Sequence, residues 1–205
     1  MVDAVIFDIG NVLIEWQPER HYDTLMPQAE REAMFAEVDL HGMNDIIDSG
    51  GPFRETIYDW AERYPRWSRW IRRWHDDWIQ MATPEIPHSV RLMKALRARG
   101  VPVFSLTNFG IASFDYATGV YPFLRDFDRA YVSGHMGVTK PDPKIYAMVE
   151  ADSGLSGAQL LFTDDRADNI ATAHMRGWKT HLFEGPEGWA TRLVAEGLLS
   201  ETEAA

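Results

Sequence analysis

The sequence predicts an open, doubly wound α/β fold, with a parallel sheet, helices on both faces and a helical subdomain inserted after the first strand. Short apolar runs alternate with helix-like segments through the second half of the chain, as parallel βαβ units require. The stretch from roughly 15 to 83 holds no clear strand, whereas an ordinary crossover between parallel strands needs only about a dozen residues. The 205 residues, 45% of them apolar and 25% charged, suffice for one core domain and a modest insertion.

The elements follow in order. A first strand at about 4–8 ends in the stretch "AVIFDIGNVL". The inserted segment, 15–83, reads as several helices, including "PERHYDTLMPQAEREAMFAEV" and "PRWSRWIRRWHDDWIQM", and holds Trp16, Trp60, Trp67, Trp70, Trp74 and Trp78. The core is expected to comprise 1–14 and 84–205. In "PHSVRLMKALRARG", Val90, Met93 and Leu96 recur at helical spacing, and basic residues followed by Gly100 mark the end. "VPVFSL" (101–106) is the second strand, and "RAYVS" (129–133) is a weaker third. In "PDPKIYAMVEADSG", Asp142 is the expected N-cap, with Pro143 at the first helical position. "QLLFT" (159–163) precedes the acidic "DDRADN", a helix stopping at Gly177 follows, and "KTHLF" (179–183) closes the series.

Charge and composition narrow the function classes. A formal net charge of -11 argues against a nucleic-acid backbone or an anionic membrane surface as the main partner. It leaves room for a small anion, because a local site can oppose the global field. With no cysteine, thiolate nucleophiles, disulfides and cysteine-bound metals are excluded. That usage, and an N-terminal apolar run too short for a signal peptide, lead us to expect a cytoplasmic protein. No apolar stretch approaches the length of a membrane span. Oligomeric state is not legible.

Reactive residues gather at the strand ends. The first strand ends in Asp8, the second in Thr107 and Asn108, and the fourth in Asp164 and Asp165, while a loop offers Lys140. In an open α/β sheet these ends share one edge, so residues distant in sequence converge there. Two or three carboxylates in one crevice raise one another's pKa unless a cation sits among them. With oxygen ligands and no cysteine, the natural cation is Mg²⁺. A hydroxyl, an amide and an ammonium beside it are what a phosphoryl group needs. Asp8 is then a candidate nucleophile.

"FDIGNVL", "SLTN", "KPDPKIY" and "FTDDRADN", in that order, resemble the four motifs of the haloacid dehalogenase (HAD) superfamily, whose core is Rossmann-like. Each motif alone is short, but four in order at suitable spacing are specific. The segment 15–83 resembles the helical cap of the C1 type. The resemblance implies that Asp8 is the nucleophile, forming an aspartyl-phosphate, with its carboxylate also on Mg²⁺. Thr107 and Asn108 would bind the phosphate of a small phosphate ester, and Lys140 would bridge it to Asp8. Asp165 would ligate the metal, Asp164 would support it directly or through water, and the backbone carbonyl of Gly10 would supply a further ligand.

Gly10 is the departure. Family phosphatases usually carry aspartate there as general acid and base, and glycine can do neither. A subgroup with "D-x-G-N-V" resembles this chain more closely and includes phosphatases acting on glucose 1-phosphate. An anomeric hydroxyl is a better leaving group than an ordinary alcohol, so a missing acid would matter less. Two other functions stand beside a Mg²⁺-dependent phosphatase. One is a 2-haloacid dehalogenase, although those enzymes usually place serine and asparagine where this chain has Asp164 and Asp165. The other is a phosphate-ligand-binding or regulatory protein that lost turnover with the second aspartate.

Several further residues carry open readings. Trp67, Trp70, Ile71, Trp74 and Trp78 fall on one helical face, where helix packing is expected and stacking on a sugar ring is the alternative. Arg66, Arg69, Arg72 and Arg73 read as a solvated face. The "DIIDSGG" stretch, with Asp48, Gly50 and Gly51, is either a helix-joining turn or a loop that dips into the site. Gly10 is also readable as a turn residue with positive φ. His21 and Glu15 are expected at the surface or packed on the flap rather than acting as the missing acid, and His174 on a helix face.

Overall fold

The computed structural model describes residues 1–205. Its five-stranded sheet is wholly parallel, in the order β3-β2-β1-β4-β5, with β1 at Ala4–Phe7, β2 at Val103–Thr107, β3 at Arg129–Val132, β4 at Leu160–Asp164 and β5 at Lys179–Leu182. The chain begins in the middle, moves outward through β2 and β3, then returns across β1 to β4 and β5. That reversal makes a switch point between β1 and β4, where the crevice outside the carboxyl ends of the strands opens.

Burial of both faces explains why the central strands read as unbroken apolar runs. Val5 and Phe7 pack into the larger core on one face, whereas Ala4 and Ile6 join Leu160 and Phe162 on the other. Behind that second face, Trp178 meets Phe162 and Tyr146 edge-on at centroid distances of 6.0 and 5.4 Å.

Between β1 and β2 lie seven helices: α1 (Pro18–Tyr22), α2 (Gln28–Val38), α3 (Leu40–Asp48), α4 (Phe53–Arg63), α5 (Ser68–Asp76), α6 (Trp78–Met81) and α7 (Pro87–Ala98). The first six replace the simple crossover, and α7 then packs on β2 through Val90, Leu92, Met93 and Leu96. The remaining helices are α8 (Ile111–Val120), α9 (Ser133–Met136), α10 (Pro143–Ser153), α11 (Ala167–Met175), α12 (Pro186–Ala195) and α13 (Glu201–Ala204). Asp142 caps α10 by accepting a hydrogen bond from the Lys144 N–H at 2.8 Å. No helix is long and apolar enough to cross a membrane.

The structure revises several local expectations. "PERHYDTLMPQAEREAMFAEV" is two helices, because Pro27 at the N-cap of α2 lacks the N–H that would continue α1. The tryptophan face is likewise divided: Trp67 caps α5 and Trp78 opens α6. Trp67, Ile71, Trp74 and Trp78 are buried and Trp70 half-buried, so helix packing accounts for the face. The arginines are exposed but not merely solvated. Arg66 and Arg69 stack over Trp67 and Trp70 at 4.3 and 4.0 Å, Arg72 lies over Tyr58 at 5.0 Å, and Arg73 pairs with Asp77 at 3.1 Å. His21 pairs with Asp77 away from the sheet edge, and His174 is exposed on α11.

Candidate active site

Register brings the two acidic strand ends together. Phe7 pairs with Thr163 across β1 and β4, the Asp8 N–H donates to the Thr163 carbonyl at 2.9 Å, and Asp164 is the next residue along β4. One carboxylate oxygen each from Asp8, Asp164 and Asp165 lies within 4.8 Å of the others. That donor set, hard oxygens converging from three carboxylates, fits a divalent cation such as Mg²⁺.

Lys140 is buried in the middle of this cluster. Its ammonium donates to Asp164 Oδ2 at 2.6 Å and to the Leu106 carbonyl at 2.8 Å, and pairs with Asp8 Oδ1 at 2.9 Å. Burial works against that charge, but Asp164 and Asp8 outweigh it and hold the Lys140 pKa above its ordinary value. Asp8 Oδ1 also accepts the Ile9 N–H at 2.7 Å, and Oδ2 takes no protein hydrogen bond. Burial pushes the Asp8 carboxyl up to about 7 against the pull of Lys140, with Asp164 and Asp165 adding to the rise.

The two adjacent aspartates differ in exposure. Asp164 is fully buried and both its oxygens are taken: Oδ1 by the Arg166 N–H and Asn169, Oδ2 by Lys140 and Asn169. Asp165 is half-buried and reaches the cavity, where Asn11 Nδ2 donates to its Oδ2 at 3.0 Å. Burial raises the Asp165 pKa, and the Asn11 bond opposes that rise.

The cavity over the cluster measures about 680 Å³. Asp8, Gly10, Thr107, Asn108, Lys140 and Asp165 all line it, whereas Asp164 stays behind the wall. Asn108 does not offer its side chain freely: Nδ2 donates to the Lys140 carbonyl and Oδ1 accepts the Lys140 N–H. From the inserted segment come Trp16, Trp78, His41, Asn44, Asp45 and Asp48. Trp78 is the one member of the expected aromatic face that reaches this wall, beside Trp16. Glu15 lines it too, but as the partner of Arg20.

Gly10 is not the residue with the left-handed backbone. Asn11 takes that conformation, with φ of 54°, which asparagine tolerates better than most residues. A Cβ at Gly10 would meet only Trp16 Cβ, at 3.9 Å. Space therefore does not require glycine there. Sequence reasoning missed Asn11 and Asn169, although each sits inside a quoted motif.

Comparison with known proteins identifies the family and the fold. A D-ribitol-5-phosphate phosphatase from Bacteroides thetaiotaomicron is 22% identical over 209 residues, covering 95% of this chain and 98% of that one. A sesquiterpene phosphatase from Aspergillus oryzae is 25% identical over 197 residues, covering 85% and 86%. Among solved structures, a HAD family enzyme from Bacteroides thetaiotaomicron superposes with a TM-score of 0.73 at 21% identity, covering 94% of this chain and 98% of that one. Its magnesium complex gives 0.71 at 20% identity with the same coverage. Residues 2–175, from the strand that precedes Asp8 through the helix that follows Asp165, match the haloacid dehalogenase-like hydrolase family, and the chain belongs to it.

Proposed function

We propose that the protein is a Mg²⁺-dependent phosphatase for a small phosphate monoester, of the sugar- or polyol-phosphate type, acting through an aspartyl-phosphate on Asp8. The observation that carries this reading is the convergence of Asp8, Asp165 and Lys140 at the floor of one cavity, beside Thr107 and Asn108. Its phosphatase relatives, one named for a sugar-alcohol phosphate, support the substrate class.

Asp8, Asp165 and the Gly10 carbonyl would hold the ion, with Asp164 behind them. Bound Mg²⁺ would supply positive charge against the phosphoryl oxygens. Lys140 and the Ile9 N–H fix the Asp8 carboxylate through Oδ1, which leaves Oδ2 to attack phosphorus. Lys140 and the Thr107 hydroxyl meet the phosphate charge. Asn108 serves this site by positioning the Lys140 backbone, and its own phosphate contact falls to its main chain. Residues 15–83 form a cap over a core of 1–14 and 84–205, and that cap excludes water from the reaction. A cytoplasmic site of action fits the cysteine-free chain.

A haloacid dehalogenase would have to draw its carboxylate substrate towards three clustered carboxylates, and no observation favours it. Hydrolysis of p-nitrophenyl phosphate tests the proposal. The expected result is turnover with Mg²⁺, abolished by chelator and by Asp8→Asn. Metal-independent turnover, or chloride release from 2-chloropropionate, would contradict it.

A further inference from the structure

With glycine at position 10, the loop after the nucleophile carries no carboxyl to protonate a departing alkoxide, yet the cavity contains another carboxyl fixed close to the Thr107–Asn108 strand end. Asp48 is the last residue of α3 and lines the same cavity as Asp8, Thr107 and Lys140. Its backbone is pinned to the core, because Ser133 Oγ donates to the Asp48 carbonyl at 2.5 Å. Ser133 Oγ in turn accepts the N–H of Phe109, the residue after Asn108, at 2.9 Å. Gly50 completes the turn with φ of 104°, and a Cβ there would come within 2.9 Å of the Gly134 carbonyl. The turn therefore sits close against the strand-end loops, and the "DIIDSGG" stretch reaches the site instead of merely joining helices.

The side chain is oriented as firmly. Asn44 Nδ2 donates to Asp48 Oδ2 at 2.9 Å, and Trp74 Nε1 donates to Asn44 Oδ1 at 3.1 Å, which fixes the amide's direction. Asn44 thereby holds Oδ2 as an acceptor and sets the plane of the carboxyl. The other cavity carboxyls are committed elsewhere: Glu15 to Arg20, Glu19 to His41 and Asp165 to Asn11 at the acidic cluster, while Asp45 is exposed.

We propose that Asp48 is the proton donor and acceptor of this enzyme, doing from the inserted helices what the residue at position 10 cannot do from the first strand. This rests on the phosphatase reading. As Asp8 Oδ2 bonds to phosphorus and the P–O bond to the alcohol breaks, the Asp48 proton passes to the leaving oxygen. In the second half, Asp48 carboxylate takes a proton from water as that water's oxygen bonds to phosphorus, the phospho-Asp8 bond breaks, and inorganic phosphate leaves. Asp48 ends protonated and Asp8 ionised, so the cycle closes. The charges facing Asp48 suit the role. Burial first, then Asp45 on its own helix and Asp8, push the carboxyl up to about 7, while the Gly110 N–H and Lys140 pull the other way.

The experiment compares wild type, Asp48→Asn and Asp8→Asn on p-nitrophenyl phosphate and on a panel of glycerol, pentitol and hexose phosphates, all with Mg²⁺. Asp48→Asn is expected to lower kcat/KM for the best alkyl phosphate by about 10²–10⁴. For p-nitrophenyl phosphate, whose leaving group needs little protonation, kcat/KM falls less than about tenfold while kcat drops behind a burst of p-nitrophenol. Wild-type kcat/KM on the alkyl ester declines above about pH 7, and the variant loses that limb. Adding Gly10→Asp to Asp48→Asn restores alkyl turnover, a Cβ at position 10 meeting nothing closer than Trp16 Cβ at 3.9 Å. Equal losses on both ester types, no loss on the alkyl ester, or a wild type that turns over only p-nitrophenyl phosphate would each overturn the assignment while leaving Asp8 chemistry intact. A wild type inactive on every ester would overturn the phosphatase reading itself, and with it this proposal.

Discussion

The side chain of Asn108 closes on the backbone of Lys140 from both ends, its Nδ2 donating to the Lys140 carbonyl at 2.9 Å and its Oδ1 accepting the Lys140 N–H at 2.8 Å. These two hydrogen bonds to the main chain set where the ammonium sits between Asp8 and Asp164. Asn108→Ala breaks both bonds and leaves two backbone groups in search of water, a cost of about 1–3 kcal/mol. A melting temperature reduced accordingly, together with a kcat loss of at least about tenfold, is the expected outcome. Unchanged kcat would mean that Lys140 finds its place without Asn108.

Asn11 stands behind Asp165 in the same way that Asn108 stands behind Lys140. Its Nδ2 orients the Asp165 carboxylate, and its Oδ1 accepts the Trp16 N–H at 2.9 Å. Groups that orient metal ligands typically change metal affinity by 10–100-fold. Asn11→Gly keeps the left-handed backbone while removing the amide, so it isolates that contribution. Titration of Mg²⁺ against melting temperature should show weaker apparent affinity in Asn11→Gly. An unchanged titration midpoint would remove Asn11 from the account.

Lys140 neutralises two buried carboxylates that touch it. Removing one partner from a buried, paired group leaves uncompensated charge and costs about 3–5 kcal/mol. Lys140→Met should therefore unfold at a lower denaturant midpoint than wild type in metal-free buffer, and Mg²⁺ should recover part of the loss. A variant as stable as wild type without metal would contradict the ion-pair geometry.

The acidic cluster also predicts how metal and pH interact. In the metal-free protein the folded Asp8 pKa is raised to about 7. A carboxyl so raised contributes stability that is full below its unfolded pKa of about 4 and is lost as pH rises through about 7. Mg²⁺ bound at the cluster would favour the ionised form and compete with the proton. The melting-temperature gain on adding Mg²⁺ should thus be larger at pH 8 than at pH 5.5. A gain independent of pH would place the ion away from Asp8.

The sequence already shows the strands whose ends meet at the cavity, because burial on both faces makes them plain apolar runs ending in polar residues. The acidic pair at the end of β4 is legible for the same reason, and Lys140 from its place in the "KPDPKIY" stretch just before α10. Sequence does not show direction of hydrogen bonding, and the structure adds most there. Asn108 reads as a phosphate ligand in sequence but spends its side chain on the Lys140 backbone. Asn11 and Asn169 read as filler within motifs, yet one steadies Asp165 and the other holds both oxygens of Asp164. Gly10 suggests a tight turn until Asn11 is seen to take the positive φ. Asp48 lies far from the strand ends in sequence, and only the packing of α3 on α9 brings it to the cavity.

Formation of a covalent phosphoryl group on Asp8 is the point on which the account turns. Wild-type protein mixed with p-nitrophenyl phosphate and Mg²⁺, quenched within the first turnover and reduced with borohydride, converts an aspartyl-phosphate to homoserine that peptide mass spectrometry can locate. Homoserine is expected at position 8, and is absent when chelator replaces Mg²⁺. Hydrolysis proceeding at full rate with the modification at another residue would contradict it.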